Sequence, residues 1–124
     1  MPGQKTVLVV EDEVLVRMDL VATLQSAGYH TLEAGSAAEA ISILEAQAEI
    51  RVVFTDIQMP GTMDGVALAQ YVRKRWPPTI IVVSSGKVQP AAGELADDMP
   101  FLQKPYNPAH LAQVLSKVAA RLAA

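Results

Sequence analysis

The sequence predicts an α/β protein in which five short strands alternate with helices and form one parallel sheet covered on both faces. Two observations support this fold class. The segments Thr6 to Val10 and Thr79 to Val83 are almost continuously apolar and rich in β-branched residues, as expected for strands buried on both faces. Segments with helical spacing of apolar residues lie between strands, and this alternation favours right-handed crossovers between parallel strands.

Three shorter segments complete the predicted strands: Tyr29 to Leu32, Arg51 to Phe54, and Phe101 to Gln103. With them, strand and helix alternate five times along the chain. No internal repeat, linker or low-complexity tract interrupts this order. The pattern therefore predicts a single layered unit.

Local signals bound the first two helices. The pattern from Val14 to Ala27 closes at Gly28, a residue type favoured just after a helix. Ser36, with Glu39 three residues later, forms a capping box that predicts a helix to about Ala48.

Two later helices have equally clear limits. Asp64 is the expected N-cap of a helix through Arg75, which Pro77 and Pro78 stop. The pair Asn107-Pro108 predicts the start of the last helix. Its apolar stripe indicates one face packed on the sheet and consists of Leu111, Val114, Leu115, Val118 and Leu122.

The segment from Gly86 to Pro100 breaks the pattern. Pro90 and Gly93 interrupt what would be the fourth helix of five, and only Ala91 to Asp98 could be helical. We therefore expect a short or irregular fourth helix. We also hypothesise that this segment becomes ordered when a signal arrives, which equal amide exchange before and after the signal would contradict.

Composition limits the classes of protein to which the chain can belong. With 124 residues and no cysteine, it predicts one domain over residues 1–124, with a core of about 5–122 and no output domain, in a reducing cytoplasm. A net charge of −3 and a single basic cluster, Arg73 to Arg75, argue against direct nucleic-acid binding. No signal peptide or apolar run of membrane-spanning length is present, so we expect no membrane insertion.

Charged residues follow the predicted strands. Glu11 and Asp12 follow the first, Asp56 follows the third, and Lys104 follows the fifth. If the strand order is 2-1-3-4-5, the three carboxylates meet where the order reverses. Carboxylates about 4 Å apart repel by roughly 4 kcal/mol per pair at an effective dielectric constant of about 20, so a cation is required. An all-oxygen site suits Mg²⁺ or Mn²⁺.

In this order and spacing, these residues resemble the receiver domain of two-component response regulators. The resemblance covers essentially the whole chain and implies the flavodoxin-like doubly wound fold with strand order 2-1-3-4-5. The residues that carry it are Glu11-Asp12, Asp56, Met59-Pro60-Gly61, Asp64-Gly65, Ser84 and Lys104-Pro105.

By this resemblance, Asp56 is the nucleophile that accepts a phosphoryl group from a histidine kinase or a histidine phosphotransfer protein. Glu11, Asp12, Asp56 and the carbonyl of Gln58 would hold Mg²⁺ or Mn²⁺. Phosphorylation would switch the binding of a downstream protein of unknown identity. The chain would then be a bacterial signalling switch, not an enzyme, with only self-phosphorylation from phosphodonors and autodephosphorylation.

The resemblance also implies how the signal moves. Lys104 would contact the phosphate, and the hydroxyl of Ser84 would donate to another phosphoryl oxygen, with Ser85 as the alternative if the register shifts by one. Movement of Ser84 would be coupled to an aromatic residue of the fifth strand, here Phe101. Pro105 resembles the cis-proline of the family, which directs the lysine inward.

Simpler and rival interpretations stand beside this one. Asp12 could cap a helix, Phe101 could be a plain core residue, and the apolar face of the last helix permits a homodimer. The rival enzyme is a magnesium-dependent phosphatase or phosphotransferase of the haloacid dehalogenase type, which also uses an aspartate after a strand. That family requires a second acid at the position where this chain has Gln58. A pseudo-receiver that binds partners without phosphate is the third interpretation, and the intact acids and Lys104 argue against it.

The chain departs from the commonest family pattern in two loop lengths. The loop from Met59 to Gly65 is one residue longer than is commonest in the family, and the interval from Ser84 to Lys104 is short.

Overall fold

The computed structural model describes residues 5–57, 64–86 and 99–123. In this part of the chain, five parallel strands form one sheet in the order β2-β1-β3-β4-β5. This confirms the α/β fold class and the strand order that the resemblance implied. The elements are β1 (Thr6–Val10), α1 (Val14–Ser26), β2 (His30–Ala34), α2 (Ala37–Ala46), β3 (Ile50–Asp56), α3 (Gly65–Arg75), β4 (Ile80–Ser85), β5 (Phe101–Gln103) and α4 (Pro108–Ala123).

The strands β3 and β4 continue further than their apolar segments predict. β3 includes Asp56 and β4 includes Ser84 and Ser85, because these polar residues are paired with neighbouring strands. Asp56 pairs with Ser84, and Ser85 pairs with Gln103. Hydrophobicity marks only the buried part of a strand, whereas hydrogen bonds to the neighbours carry it to the rim of the sheet.

The predicted helix ends are present. Gly28 has a φ of +96°, a conformation that glycine adopts without penalty, and it follows α1. The Ser36 hydroxyl accepts a hydrogen bond from the Glu39 N–H at 3.2 Å. The carboxylate of Glu39, however, accepts from the N–H of Gly35 at 2.6 Å, one residue before the partner that a capping box predicts.

Asp64 and Asn107 cap the later helices as predicted. The Asp64 carboxylate accepts from the Ala67 N–H at 2.9 Å. The side-chain oxygen of Asn107 accepts from Ala109 at 2.9 Å and from His110 at 3.2 Å. Both caps place helix starts beside the same rim of the sheet, at the carboxyl ends of the strands.

Two apolar cores lie on opposite faces of the sheet. Leu8 and Val10 of β1 belong to the core with α2 and α3, whereas Val7 and Val9 belong to the core with α1 and α4. Alternate residues of a strand face opposite sides, so burial on both faces explains why β1 is apolar throughout. With both faces covered, the open part of the sheet is its rim.

The short helix predicted at Ala91–Asp98 and the loop at Met59–Gly61 lie outside the described residues. The helix after the last strand is therefore numbered α4. Within the part of the chain that the structure covers, no helix is both long and apolar enough to cross a lipid bilayer.

Candidate metal and phosphoryl site

The site lies at the rim where β1, β3, β4 and β5 end. Hydrogen bonds between neighbouring strands continue past the strand ends and hold the backbone there. The Glu11 N–H donates to the carbonyl of Ala34 at 3.0 Å, and the Ile57 N–H donates to the carbonyl of Ser84 at 2.8 Å. The Lys104 N–H donates to the carbonyl of Ser85 at 2.9 Å. The residues that carry the charges are thus fixed to the sheet.

Glu11, Asp12 and Asp56 form an acidic cluster. Each contributes a carboxylate oxygen, and these oxygens all lie within 4.8 Å of one another. Glu11 is 3% exposed and Asp56 is 4% exposed, whereas Asp12 lies at the open side of the cluster. The convergence that the strand ends predicted is therefore present.

Lys104 enters the cluster from β5. Its ammonium nitrogen lies 2.6 Å from Glu11 Oε1 and 3.2 Å from Asp56 Oδ2, and its side chain is 11% exposed. The peptide bond between Lys104 and Pro105 is cis, as the resemblance implied. Lys104 is therefore a largely buried part of the cluster and not a surface lysine.

The ionisation of this cluster reflects burial and close charges. Burial raises the pKa of Glu11, and the negative charge of Asp56 adds to that rise, while hydrogen bonds from Lys104 and from the N–H of Glu13 partly offset it. Burial alone would lower the pKa of Lys104, but its hydrogen bond to Glu11 and the charge of Asp56 outweigh burial and raise it. Lys104 therefore stays protonated at neutral pH.

The cluster has the chemistry of a site for a hard divalent cation. Three carboxylates and one ammonium leave a net charge of −2 when all four groups are ionised. Oxygen-only ligands match the preference of Mg²⁺ and Mn²⁺. The carbonyl of Gln58, which was predicted as a further ligand, lies outside the described residues.

Comparisons with known proteins identify the family. The model of the response regulator receiver domain matches residues 7–116. The chain belongs to the response regulator receiver family. It is similar to part of the sensor kinase CckA of Brucella abortus, with 40% identity over 120 residues, which are 94% of this chain and 13% of that protein. It is also 30% identical to a putative NtrX-like response regulator of Rickettsia bellii, covering 82% of this chain and 22% of that protein.

The chain thus spans less than a quarter of the length of these two curated relatives. Two solved structures match it along nearly their whole length. A receiver protein from Sinorhizobium medicae has 32% identity and a TM-score of 0.85, with 98% of this chain and 99% of that one covered. Chemotaxis protein CheY4 of Vibrio cholerae has 28% identity and a TM-score of 0.80, covering 93% and 98%. The chain is accordingly a receiver, the switch module of two-component signalling.

Gly65 allows the start of α3 to approach the backbone at the end of β3, next to Asp56. The Gly65 N–H donates to the carbonyl of Ile57 at 2.7 Å. A methyl group on Gly65 would overlap the carbonyl oxygen of Asp56. This position therefore requires a residue without a side chain because the backbone of α3 approaches the end of β3 closely.

Arg17 and Thr55 hold the backbone of the receiver site. Arg17 donates from Nη1 to the carbonyl of Glu11 at 2.8 Å, and from Nε to the Glu33 carboxylate at 3.0 Å. The Thr55 hydroxyl donates to the carbonyl of Asp56 at 3.0 Å. The guanidinium thus ties α1 and β2 to the strand end that carries Glu11.

Ser84 and two aromatic residues complete the receiver rim. Ser84 is buried opposite Asp56, and its hydroxyl oxygen accepts a hydrogen bond from the Tyr106 hydroxyl at 3.3 Å. Phe101 pairs with Val83 and packs against the core on the side of α2 and α3. Sequence reasoning missed Tyr106. Its signal was an aromatic residue with a hydroxyl directly after the proline of the lysine-proline pair.

Proposed function

We propose that this receiver accepts a phosphoryl group on Asp56 from the phosphohistidine of a histidine kinase or a histidine phosphotransfer protein. The observation that carries the proposal is the position of Asp56. Its carboxylate is buried at the end of β3, beside the ammonium of Lys104 and within reach of two other carboxylates. An ionised carboxylate is a competent nucleophile for phosphorus, and an acyl phosphate is labile enough for a reversible signal.

In the proposed transfer, an oxygen of Asp56 bonds to phosphorus as the P–N bond of the phosphohistidine breaks, and the imidazole leaves with the electron pair of that bond. Lys104 already contacts Asp56 and would neutralise negative charge on the transferred group. Ser84 lies opposite Asp56 in the sheet, and its hydroxyl would donate a hydrogen bond to a phosphoryl oxygen. Both groups are held by the strand ends, so they are oriented before the reaction.

We propose Mg²⁺, or Mn²⁺ in its place, as the resident metal, held by Glu11, Asp12, Asp56 and the carbonyl of Gln58. The carboxylate cluster and its charge of −2 support the first three ligands. A bound divalent cation supplies positive charge that stabilises phosphoryl oxygens. Within the described residues, the acidic cluster has Lys104 as its close cation, and one ammonium leaves two negative charges uncompensated.

An exposed apolar face on α1 supports docking of the phosphohistidine partner. Val14, Leu15 and Met18 are 54%, 80% and 58% exposed, and they lie in the first two turns of α1, which begins two residues after Asp12. A phosphohistidine must reach Asp56 closely, so its protein has to cover this rim. Apolar side chains beside the rim would gain from being buried in that complex.

The proposed role is that of a switch that binds a downstream protein, without turnover of a separate substrate. We also propose that residues 1–124 form one receiver unit. The sheet is continuous from β2 to β5, and α4 packs on the same core as α1, which supports this division.

Chemical mapping tests the assignment of Asp56. The protein is incubated with acetyl phosphate and Mg²⁺ and then reduced with borohydride, which converts an aspartyl phosphate to homoserine. We expect homoserine at position 56 in a digest. Homoserine at position 12, or at no position, would contradict the proposal.

A further inference from the structure

Tyr106 connects the receiver site to the last helix by a contact that the proposed function does not use. It lies between the cis-peptide at Pro105 and the cap residue Asn107, and its hydroxyl donates to the oxygen of Ser84 at 3.3 Å. Its ring packs against the core that contains Leu111 of α4. One side chain therefore touches both the rim of β4 and the core beneath α4.

The hydrogen bond constrains where the proton of Ser84 points. A serine hydroxyl has one proton and two lone pairs. When Tyr106 donates to one lone pair, the proton of Ser84 must point away from Tyr106. Ser84 faces Asp56 across the β3–β4 ladder, so a phosphoryl group on Asp56 would offer acceptor oxygens to this proton.

Building on the proposed function, we propose that Tyr106 is a positioning residue that orients the Ser84 hydroxyl toward a phosphoryl group on Asp56 and links that hydroxyl to α4. Tyr106 does not touch the reacting atoms and acts through Ser84. Burial raises the pKa of Tyr106, so its hydroxyl keeps the proton that it donates at neutral pH.

Phe101 cannot take this role by hydrogen bonding. It has no hydroxyl, and it packs on the opposite face of the sheet, in the core with α2 and α3. Tyr106 packs in the core with α1 and α4. A change at Ser84 thus has a direct path to α4 through Tyr106.

The hydrogen bond between Tyr106 and Ser84 is long enough to change when Asp56 is phosphorylated. At 3.3 Å it is longer than the usual O–H···O distance of about 2.7–2.8 Å. A phosphoryl oxygen accepts more strongly than a neutral group and would draw the Ser84 hydroxyl toward Asp56. The Tyr106 side chain would then either move with the Ser84 hydroxyl or lose the hydrogen bond, and a movement would change its packing against the core shared with α4.

Removal of one hydroxyl tests the positioning role. Tyr106→Phe keeps the ring, and we expect its rate of phosphorylation by acetyl phosphate with saturating Mg²⁺ to fall about two- to tenfold, the effect of one ordinary hydrogen bond. Tyr29→Phe is the matched control, because Tyr29 packs against the same core at the opposite end of the sheet. We expect that control to match the wild type.

A double-mutant cycle separates positioning from packing. In the background of Ser84→Ala, Tyr106→Phe should have no further effect on the rate, because the oxygen that received the bond is gone. An equal loss in both backgrounds would overturn the proposal. So would a wild-type rate for Tyr106→Phe in the presence of Ser84.

The link to α4 has its own readout in amide hydrogen exchange. Phosphorylation should change exchange in the first turns of α4 in the wild type, and this change should be reduced in Tyr106→Phe. The same change in both proteins would overturn the link. Wild-type protein that takes up no phosphoryl group at Asp56 would overturn the proposed function and this inference with it, whereas a phosphorylated wild type with an unaffected Tyr106→Phe would overturn this inference alone.

Discussion

The ammonium of Lys104 lies 2.6 Å from the carboxylate of Glu11, with both side chains almost fully buried. The same nitrogen lies 3.2 Å from Asp56, so one cation bridges the ends of β1 and β3. These distances explain how two buried carboxylates are tolerated in one cluster. They also make Lys104 important both for stability and for phosphoryl transfer.

Replacement of Lys104 should lower both the stability of the protein and the rate of phosphoryl transfer. We expect Lys104→Met to lose up to about 3–5 kcal/mol of unfolding free energy, because removal of one partner of a buried ion pair leaves charge uncompensated. Urea unfolding at pH 7 measures the loss. Lys117→Met, on the exposed side of α4, is the control and should be almost neutral. Equal stability of the two variants would contradict the role given to Lys104.

Neutralisation of Asp12 should stabilise the metal-free protein. Asp12→Asn removes one of three mutually repelling carboxylates, so its melting temperature without Mg²⁺ should rise by a few degrees. Asp19→Asn removes an exposed acid of α1 outside the acidic cluster, and it should leave the melting temperature almost unchanged. A lower melting temperature for Asp12→Asn would show that the cluster is not under repulsion.

Addition of Mg²⁺ should stabilise the wild type and not Asp12→Asn. A ligand at about 100 times its dissociation constant adds about 2.7 kcal/mol to the unfolding free energy. Calorimetric scans with and without Mg²⁺ would show a clear upward shift for the wild type, and Asp19→Asn should shift equally. A wild type that does not respond to Mg²⁺ or Mn²⁺ would contradict the metal assignment.

Gly65 should not tolerate a side chain. Gly65→Ala places a methyl group against the carbonyl of Asp56, so we expect a loss of about 1–3 kcal/mol or more in unfolding free energy and slower phosphorylation. Gly35→Ala is the matched control, since its methyl group would lie 3.5 Å from the Arg17 side chain, an ordinary contact. Similar losses in both variants would mean that the approach of α3 to β3 is not the cause.

The apolar face of α1 should matter for protein donors and not for small ones. Leu15→Ser is expected to slow phosphotransfer from a phosphorylated histidine phosphotransfer protein by about fivefold or more, because an exposed side chain that becomes buried contributes about 1 kcal/mol or more to a complex. Leu15→Met keeps the apolar surface and should transfer normally. Both variants should react with acetyl phosphate at the wild-type rate, and a loss there would point to damage of the site itself.

Much of the fold could be predicted because the strands are buried on both faces. Such strands are marked by their own apolar residues, and the turns by glycine, proline and capping side chains. The convergence of Glu11, Asp12 and Asp56 was predicted from the rule that parallel strands share a rim at their carboxyl ends, together with the strand order 2-1-3-4-5, which the resemblance to the receiver family implied. Lys104 could be placed there for the same reason.

Other features depend on contacts that no local pattern contains. The Tyr106 bond to Ser84 joins two hydroxyls across the rim, and its existence depends on how the chain turns after Pro105. The carboxylate of Glu39 bonds the N–H of Gly35 because the approach of the loop, and not the spacing alone, selects the donor. The switch role of Phe101 and the ligand role of Gln58 stay predictions, as does the ordering of Gly86 to Pro100.

The most direct test of the central claim is intact-mass analysis after incubation with acetyl phosphate and Mg²⁺, with Asp56→Asn in parallel. We predict one added phosphoryl group on the wild type, stable in acid, removed by hydroxylamine and absent from Asp56→Asn. No added group on the wild type, or an equal gain on Asp56→Asn, would contradict the assignment of Asp56 as the phosphoacceptor.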